Sequence, residues 1–164
     1  MRVMVTGTPG AGKTSIAKRL AKTLGLVYID VNALIKKCSE LIDSKDRDGT
    51  LVIDEDKLET MLGAREGVID SHLSHYAPKR IGDVCIVVRC APRVLKKRLE
   101  ARGYSKQKIA DNLESEIMNV CGADAFDRGH RILEVDTTTR LLRKTVALLK
   151  EHISHVDTSK HIKL

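Results

Sequence analysis

Short apolar runs alternate along the chain with longer stretches in which apolar residues recur every three or four positions. Val3-Met4-Val5, Val27-Tyr28-Ile29, Val68-Ile69, Cys85-Ile86-Val87-Val88 and Ile132-Leu133-Glu134-Val135 read as five buried strands. Ile16, Ala17, Leu20, Ala21 and Leu24 keep helical spacing until Gly25 ends the run. The same spacing predicts a helix through Ile109, Leu113, Ile117 and Val120, and another through Leu142, Val146, Leu149 and Ile153. Strands alternating with helices are the pattern of a parallel sheet covered by helices on both faces, so the expected fold class is α/β with a five-stranded parallel sheet. Two excursions interrupt it. Residues from about 31 to 63, with "DSKDRDG" at Asp43 to Gly49 as the clearest loop, predict a small helical insertion outside the sheet, and a second excursion falls near 101 to 112.

Length and composition narrow this picture without changing it. A chain of 164 residues suits one domain with one core, and 42% apolar with 31% charged residues fits a globular protein. No apolar run approaches the ~20 residues of a membrane span, and the opening "MRVMVTG" lacks a secretory signal, so a cytoplasmic location is expected. Cys38, Cys85, Cys90 and Cys121 form no C-x-x-C pair and read as structural or free thiols. A formal charge of +7 suits an anionic partner, nucleotide or RNA, and equally a solvated basic surface. One phenylalanine, three tyrosines and no tryptophan argue against a base-stacking platform.

Residues 7 to 14 read "GTPGAGKT", a complete G-x-x-x-x-G-K-[ST] match between a predicted strand and a predicted helix, which is the context of a phosphate-binding loop. Gly7, Gly10 and Gly12 permit a tight turn whose backbone N–H groups, with Ala11 among them, converge on phosphate oxygens at a helix N-terminus. Lys13 is placed to reach the β- and γ-phosphates, Thr14 to ligate Mg²⁺, and Ser15 to add a phosphate contact.

A second carboxylate at a neighbouring strand end is expected to hold the Mg²⁺ ion. Asp54 is followed by Glu55, Asp56 and a helical run, so it reads as a helix cap. Asp70, in "GVIDSH", ends a strand and is the better metal-linked acid. His72, two residues on, can orient a water, contact an acceptor phosphate, move a proton or simply shape the turn. His75 reads as structural or exposed.

"GTPGAGKTS" at Gly7 to Ser15, "YIDVNAL" at Tyr28 to Leu34, "VIDEDKL" at Val52 to Leu58, "DSH" at Asp70 to His72, "RGYSKQKIADN" at Arg102 to Asn112 and "EI" at Glu116 and Ile117 together resemble one family. It is that of the adenylate kinase-like ATPases typified by the coilin-interacting nuclear ATPase, whose yeast and archaeal members are linked to small ribosomal subunit maturation. The resemblance implies a single P-loop domain of nucleoside monophosphate kinase type over residues 1–164. Its core would be 1–29, 64–100 and 113–164, its acceptor-binding insertion about 30–53, and its lid about 101–112.

It further implies transfer of the terminal phosphoryl of ATP to AMP with Mg²⁺, an ATPase activity, a small-subunit ribosomal protein as partner, contact with rRNA, and a nuclear location in a eukaryotic cell. Arg102 then becomes the lid clamp on the ATP phosphates, joining Lys13, Asp70 and His72 as catalytic residues. The family's acceptor-side arginine falls on Lys36, which keeps the charge and loses the planar fork; Lys37 can share the task. Arg93, Lys96, Lys97, Arg98, Lys106 and Lys108 offer a basic surface for RNA phosphates or for solvent. Two other functions compete: an ATP-hydrolysing assembly factor, and a P-loop kinase for another small acceptor.

Overall fold

The computed structural model describes residues 1–45, 51–139, 142–154 and 162–163. Its centre is strand β1 (Arg2–Thr6), buried at all five positions. A strand covered on both faces needs no polar alternation, which explains the continuous "VMV". β2 (Tyr28–Asp30), β5 (Gly67–Asp70), β6 (Val84–Arg89) and β7 (Ile132–Asp136) complete the five predicted strands, all parallel, and two residues near the C-terminus, β8 (Ile162–Lys163), add a short sixth. The order is β2-β5-β1-β6-β7-β8.

Side chains alternate between two cores with the strand period of two. Val3, Val5, Ile86, Val88, Leu133 and Val135 face a cluster built with α1 (Lys13–Leu24), α4 (Pro92–Glu100) and α7 (Leu142–Ser154). Met4, Ile69, Cys85, Val87 and Ile132 face the other way, against α2 (Val31–Lys37), α3 (Glu55–Gly63) and α6 (Val120–Asp127). Helix ends follow local chemistry. Gly25 closes α1 at φ 68, and Asp30 and Asp54 accept from Ala33 N and Lys57 N to open α2 and α3.

The insertion departs from the helical expectation. Between α2 and α3 lie β3 (Ile42–Lys45) and β4 (Leu51–Ile53), an antiparallel pair outside the main sheet. "LVI" at β4 places Leu51 and Ile53 against the second core while Val52 points to solvent, a strand alternation too short to outweigh its polar surroundings in the sequence. Asp46 to Gly49 of the anticipated loop lie outside the described residues.

A second departure concerns the helix through Ile109 to Val120. It is two helices, α5 (Lys106–Ile117) and α6, separated at Asn119, whose φ of 53 is left-handed. Ile117 is 65% exposed, with Met118 and Val120 beside it in solvent. The break lets Glu116 turn inward instead. It is 2% exposed, accepting from Arg89 Nε at 2.8 Å and from Cys90 N at 3.0 Å.

At the N-terminal edge of the sheet, Arg2 is wholly buried. Its Nε donates to Asp83 Oδ2 at 2.8 Å, its backbone N to Asp83 Oδ1 at 3.1 Å, and its remaining nitrogens to Leu62 O and Pro78 O. No helix among the described residues is long and apolar enough to cross a membrane, and all four cysteines are free thiols.

Candidate active site

The loop between β1 and α1 has the conformation that its glycines allow. A β-carbon on Gly7, at φ 129, would run into the carbonyl oxygen of Val88 on β6, so only glycine lets β1 and β6 lie this close here. Gly12 begins α1 at φ 105. Ala11 is buried and its N–H donates to Thr8 O at 3.1 Å. Arg98, anticipated on a basic outer surface, is turned onto this loop: it donates to Ala11 O at 3.3 Å and to Thr137 O at 3.1 Å, while Thr137 Oγ1 donates to Ala11 O at 2.6 Å. The loop is therefore braced from behind, and Thr14 and Ser15 stand exposed at the first turn of α1.

Lys13 curls over the loop, donating to Gly7 O at 2.6 Å and Thr8 O at 3.0 Å. Burial lowers its pKa to about 8, against the nearby Cys121 and Asp70, which favour the charged form. Asp70 is 4% exposed at the end of β5. Tyr28 on the neighbouring β2 donates to its Oδ2 at 2.8 Å, and burial followed by that bond raises the tyrosine's pKa. Asp70 Oδ1 has no hydrogen-bond partner. An ionisable oxygen buried without a partner is costly unless a ligand supplies one.

Burial, then the charge of Lys13, holds His72 down to about pKa 4, so its imidazole is neutral at pH 7. Such a ring offers one N–H and one lone pair but is a weak base. Across from it, Arg102 and Tyr104 lie between α4 and α5, and Lys108 on the first turn of α5 sits 4.9 Å from the Tyr104 ring centroid. The Arg89–Glu116 bonds tie the far end of α5 to β6, so the helix carrying Lys108, Asp111, Asn112 and Ser115 is fixed to the sheet beside the loop.

These groups line one cleft of about 850 Å³. It brings together Gly10, Gly12, Lys13, Thr14, Ser15, Asp70, His72 and Arg102. Lys36 is exposed on α2 and does not line it; Asn32 is the α2 residue that does. A second cavity, of about 280 Å³, lies behind the loop between Arg98, Arg102, Thr137, Leu142 and Thr145. Sequence reasoning missed Asn32, Tyr76, Cys121 and Asp124 in the cleft and Thr137 behind the loop. Thr137 carried a signal, since it lies two residues beyond a predicted strand. Cys121 and Asp124 carried none, because their position depends on the break at Asn119.

The profile of the AAA domain family matches residues 3–119. A protein named "Putative adenylate kinase" from Thermococcus onnurineus is 39% identical over 160 residues, covering 92% of this chain and 84% of that one. One of the same name from Methanocaldococcus jannaschii is 38% identical, covering 94% and 87%. In fold, the chain is similar to shikimate kinase from Bacteroides thetaiotaomicron, with TM-score 0.64, 20% identity and coverage of 94% and 98%. A deoxyadenosine kinase from M. mycoides gives TM-score 0.58 at 15% identity, covering 94% and 100%.

Proposed function

This chain belongs to the AAA domain family and, within it, to the family of archaeal proteins named "Putative adenylate kinase"; it is a P-loop kinase, and from that premise we propose that it transfers the terminal phosphoryl group of ATP to AMP with Mg²⁺. The observation that carries the reading is the continuity of one cleft from the phosphate-binding loop, past Asp70 and Arg102, to the His72 wall. A donor phosphate and an acceptor can meet there without crossing solvent. The smaller cavity opens on Gly10, Gly12 and Arg102 from behind and suits the base of the donor nucleotide.

Phosphoryl transfer asks for positioning and charge more than for covalent chemistry. Lys13 and the loop N–H groups hold the donor phosphates, and Arg102 closes on the transferring group with a planar fork. His72, neutral, gives or receives a hydrogen bond at the acceptor oxygen. Among the described residues no group of three or more histidine, cysteine or acidic side chains could cage a metal. What is present suits Mg²⁺ bound chiefly by phosphate and water: one hydroxyl, Thr14, and one carboxylate, Asp70, whose Oδ1 lacks a partner. When bound, the ion would neutralise charge on the phosphate oxygens.

A second reading draws on a specific feature. The cleft's cations, Lys13, Arg102 and Lys108, come from the phosphate-binding loop, the segment leading into α5 and the first turn of α5, and Lys36 stands outside. An acceptor wall without its own guanidinium also suits water, which favours an ATPase activity and, through the family resemblance, service in small ribosomal subunit maturation with a ribosomal protein or rRNA as partner. A coupled assay comparing ATP alone, ATP with each nucleoside monophosphate, and ATP with other small acceptors separates the two. The kinase reading expects two ADP formed per ATP consumed with AMP; ADP and phosphate formed at a rate indifferent to every acceptor overturns it.

A further inference from the structure

Tyr28 does not line the cleft, yet its hydroxyl ends on the acid that does. β2 and β5 run parallel with Tyr28 opposite Val68 and Asp30 opposite Asp70, so Tyr28, Val68 and Asp70 share the face of the sheet that carries α1. Gly67 brings the two strands together here. A β-carbon on it, at φ 127, would run into the carbonyl oxygen of Val27, which accepts from Val68 N at 2.8 Å. Asp70 stands two residues beyond the level of Tyr28, about 7 Å along the strand, a span that a phenol ring bridges and a shorter side chain does not. The ring also meets α1, where Lys18, one turn after Thr14, places its ammonium 5.4 Å from the ring centroid. Tyr28 therefore stands between the helix that offers the Thr14 hydroxyl and the strand that offers the Asp70 carboxylate.

The 2.8 Å bond from Tyr28 to Oδ2 is the one hydrogen bond to that carboxylate among the described residues. Oδ1 is left bare, in a side chain that is buried and lines the cleft. The terminal torsion of an aspartate is broad and two-fold, so a free carboxylate exchanges its two oxygens. A neutral donor on one of them stops the exchange without adding a cation to the site. Resting on the reading of Asp70 as the metal-linked acid, we propose that Tyr28 is the positioning residue for that acid: its hydroxyl holds the carboxylate so that Oδ1 alone is presented to the cation of the donor nucleotide. A single presented oxygen suits Mg²⁺, which keeps several waters and takes only one or two carboxylates.

The test removes only the hydroxyl. Mn²⁺, a paramagnetic stand-in for Mg²⁺, is titrated into the full chain saturated with ATP, and its binding is read from the free-ion resonance. Wild type, Tyr28→Phe, Asp70→Asn and the double variant are compared, each checked for folding by its melting curve, and the Mg²⁺ half-saturation of ADP formation from ATP and AMP is measured beside them. Tyr28→Phe should weaken Mn²⁺ binding about tenfold and raise the Mg²⁺ half-saturation in step, with ATP affinity in EDTA unchanged. Asp70→Asn should weaken the ion further. Adding Tyr28→Phe to Asp70→Asn should leave the constant unmoved, because nothing remains to be positioned. Ion affinity unmoved in folded Tyr28→Phe, or an effect that persists undiminished in the Asp70→Asn background, overturns the positioning role and leaves Asp70 as the metal-linked acid. Ion affinity unmoved by Asp70→Asn overturns that reading, and the role of Tyr28 with it.

Discussion

The two ends of the parallel sheet handle buried polarity in opposite ways. At the N-terminal end of β1, Arg2 is as deeply buried as any residue in the chain, and Asp83, Leu62 O and Pro78 O take up its donors. At the C-terminal end, Asp70 Oδ1, Ser74 Oγ and His75 Nε2 are buried with no hydrogen-bond partner. Arg131 Nε, at the start of β7, is the exception at the lower end, and that guanidinium still donates to His152 O at 3.2 Å through Nη2. A saturated buried charge serves the fold, because each of its bonds is made whether or not anything else is present. Open hydrogen-bonding capacity serves a ligand, because it is a cost until something fills it. Polar satisfaction thus separates framework from site more sharply than burial does.

The contrast breaks most visibly if Lys13→Ala fails to behave as an upper-end residue. Turnover with ATP should fall by on the order of 10³-fold or more, while the melting temperature holds or rises because a buried cation is gone. Arg2→Ala should do the reverse, costing about 3–5 kcal/mol in urea unfolding by stranding Asp83, with kcat per folded molecule retained. His72→Ala comes next: turnover drops about 10²-fold and ATP affinity, read by calorimetry, stays within a factor of about 3. Normal turnover with a lowered melting temperature would make His72 a turn-holding residue.

The smallest effect sharpens the comparison through pH. Burial, then Arg128, pushes the pKa of His75 down to about 3, below its unfolded value near 6.5. Between those values the unfolded chain binds a proton that the folded one refuses. Stability therefore falls as pH drops through this window, by up to about 1.4 kcal/mol per pH unit from this group. His75→Gln should make the acid limb of the melting-temperature curve shallower. An unchanged limb would mean that the ring is not kept neutral by the fold.

Much of the framework was legible because it depends on short-range rules. "GTPGAGKT" specifies its own turn, and the apolar runs of β1, β5 and β6 cannot sit anywhere but between helices. The place of Asp70 on the cleft was legible because a strand delivers its last residue to the end of the sheet, and Asp54 is the helix cap that its sequence context indicates. The α5–α6 corner was not legible. Ile117 and Val120 fit the helical period equally well in a continuous helix, and what decides against it is the burial of Glu116 on Arg89, a contact across 27 positions. Everything downstream of that corner inherits the same opacity, including Asp124 beside His75. Arg98 was misplaced for a related reason. Its period marks it as helix surface, and only the packing of α4 behind the loop turns that surface toward Ala11 and Thr137.

The register of β1 carries a consequence for synthesis of the chain. This strand precedes the other strands of its sheet, yet its neighbours lie far along the chain: Arg2 sits opposite Gly67 and Val3 opposite Val84. At roughly 5–20 residues per second, the ribosome needs on the order of 4–16 s to add the residues between Val3 and Val84. For that time at least one edge of the apolar strand "RVMVT" is unpaired, and until β5 is made both are. Nascent chains should therefore be most vulnerable to misassociation before β6 appears, and a pause engineered just upstream of Val84 should lower soluble yield more than the same pause placed after β7.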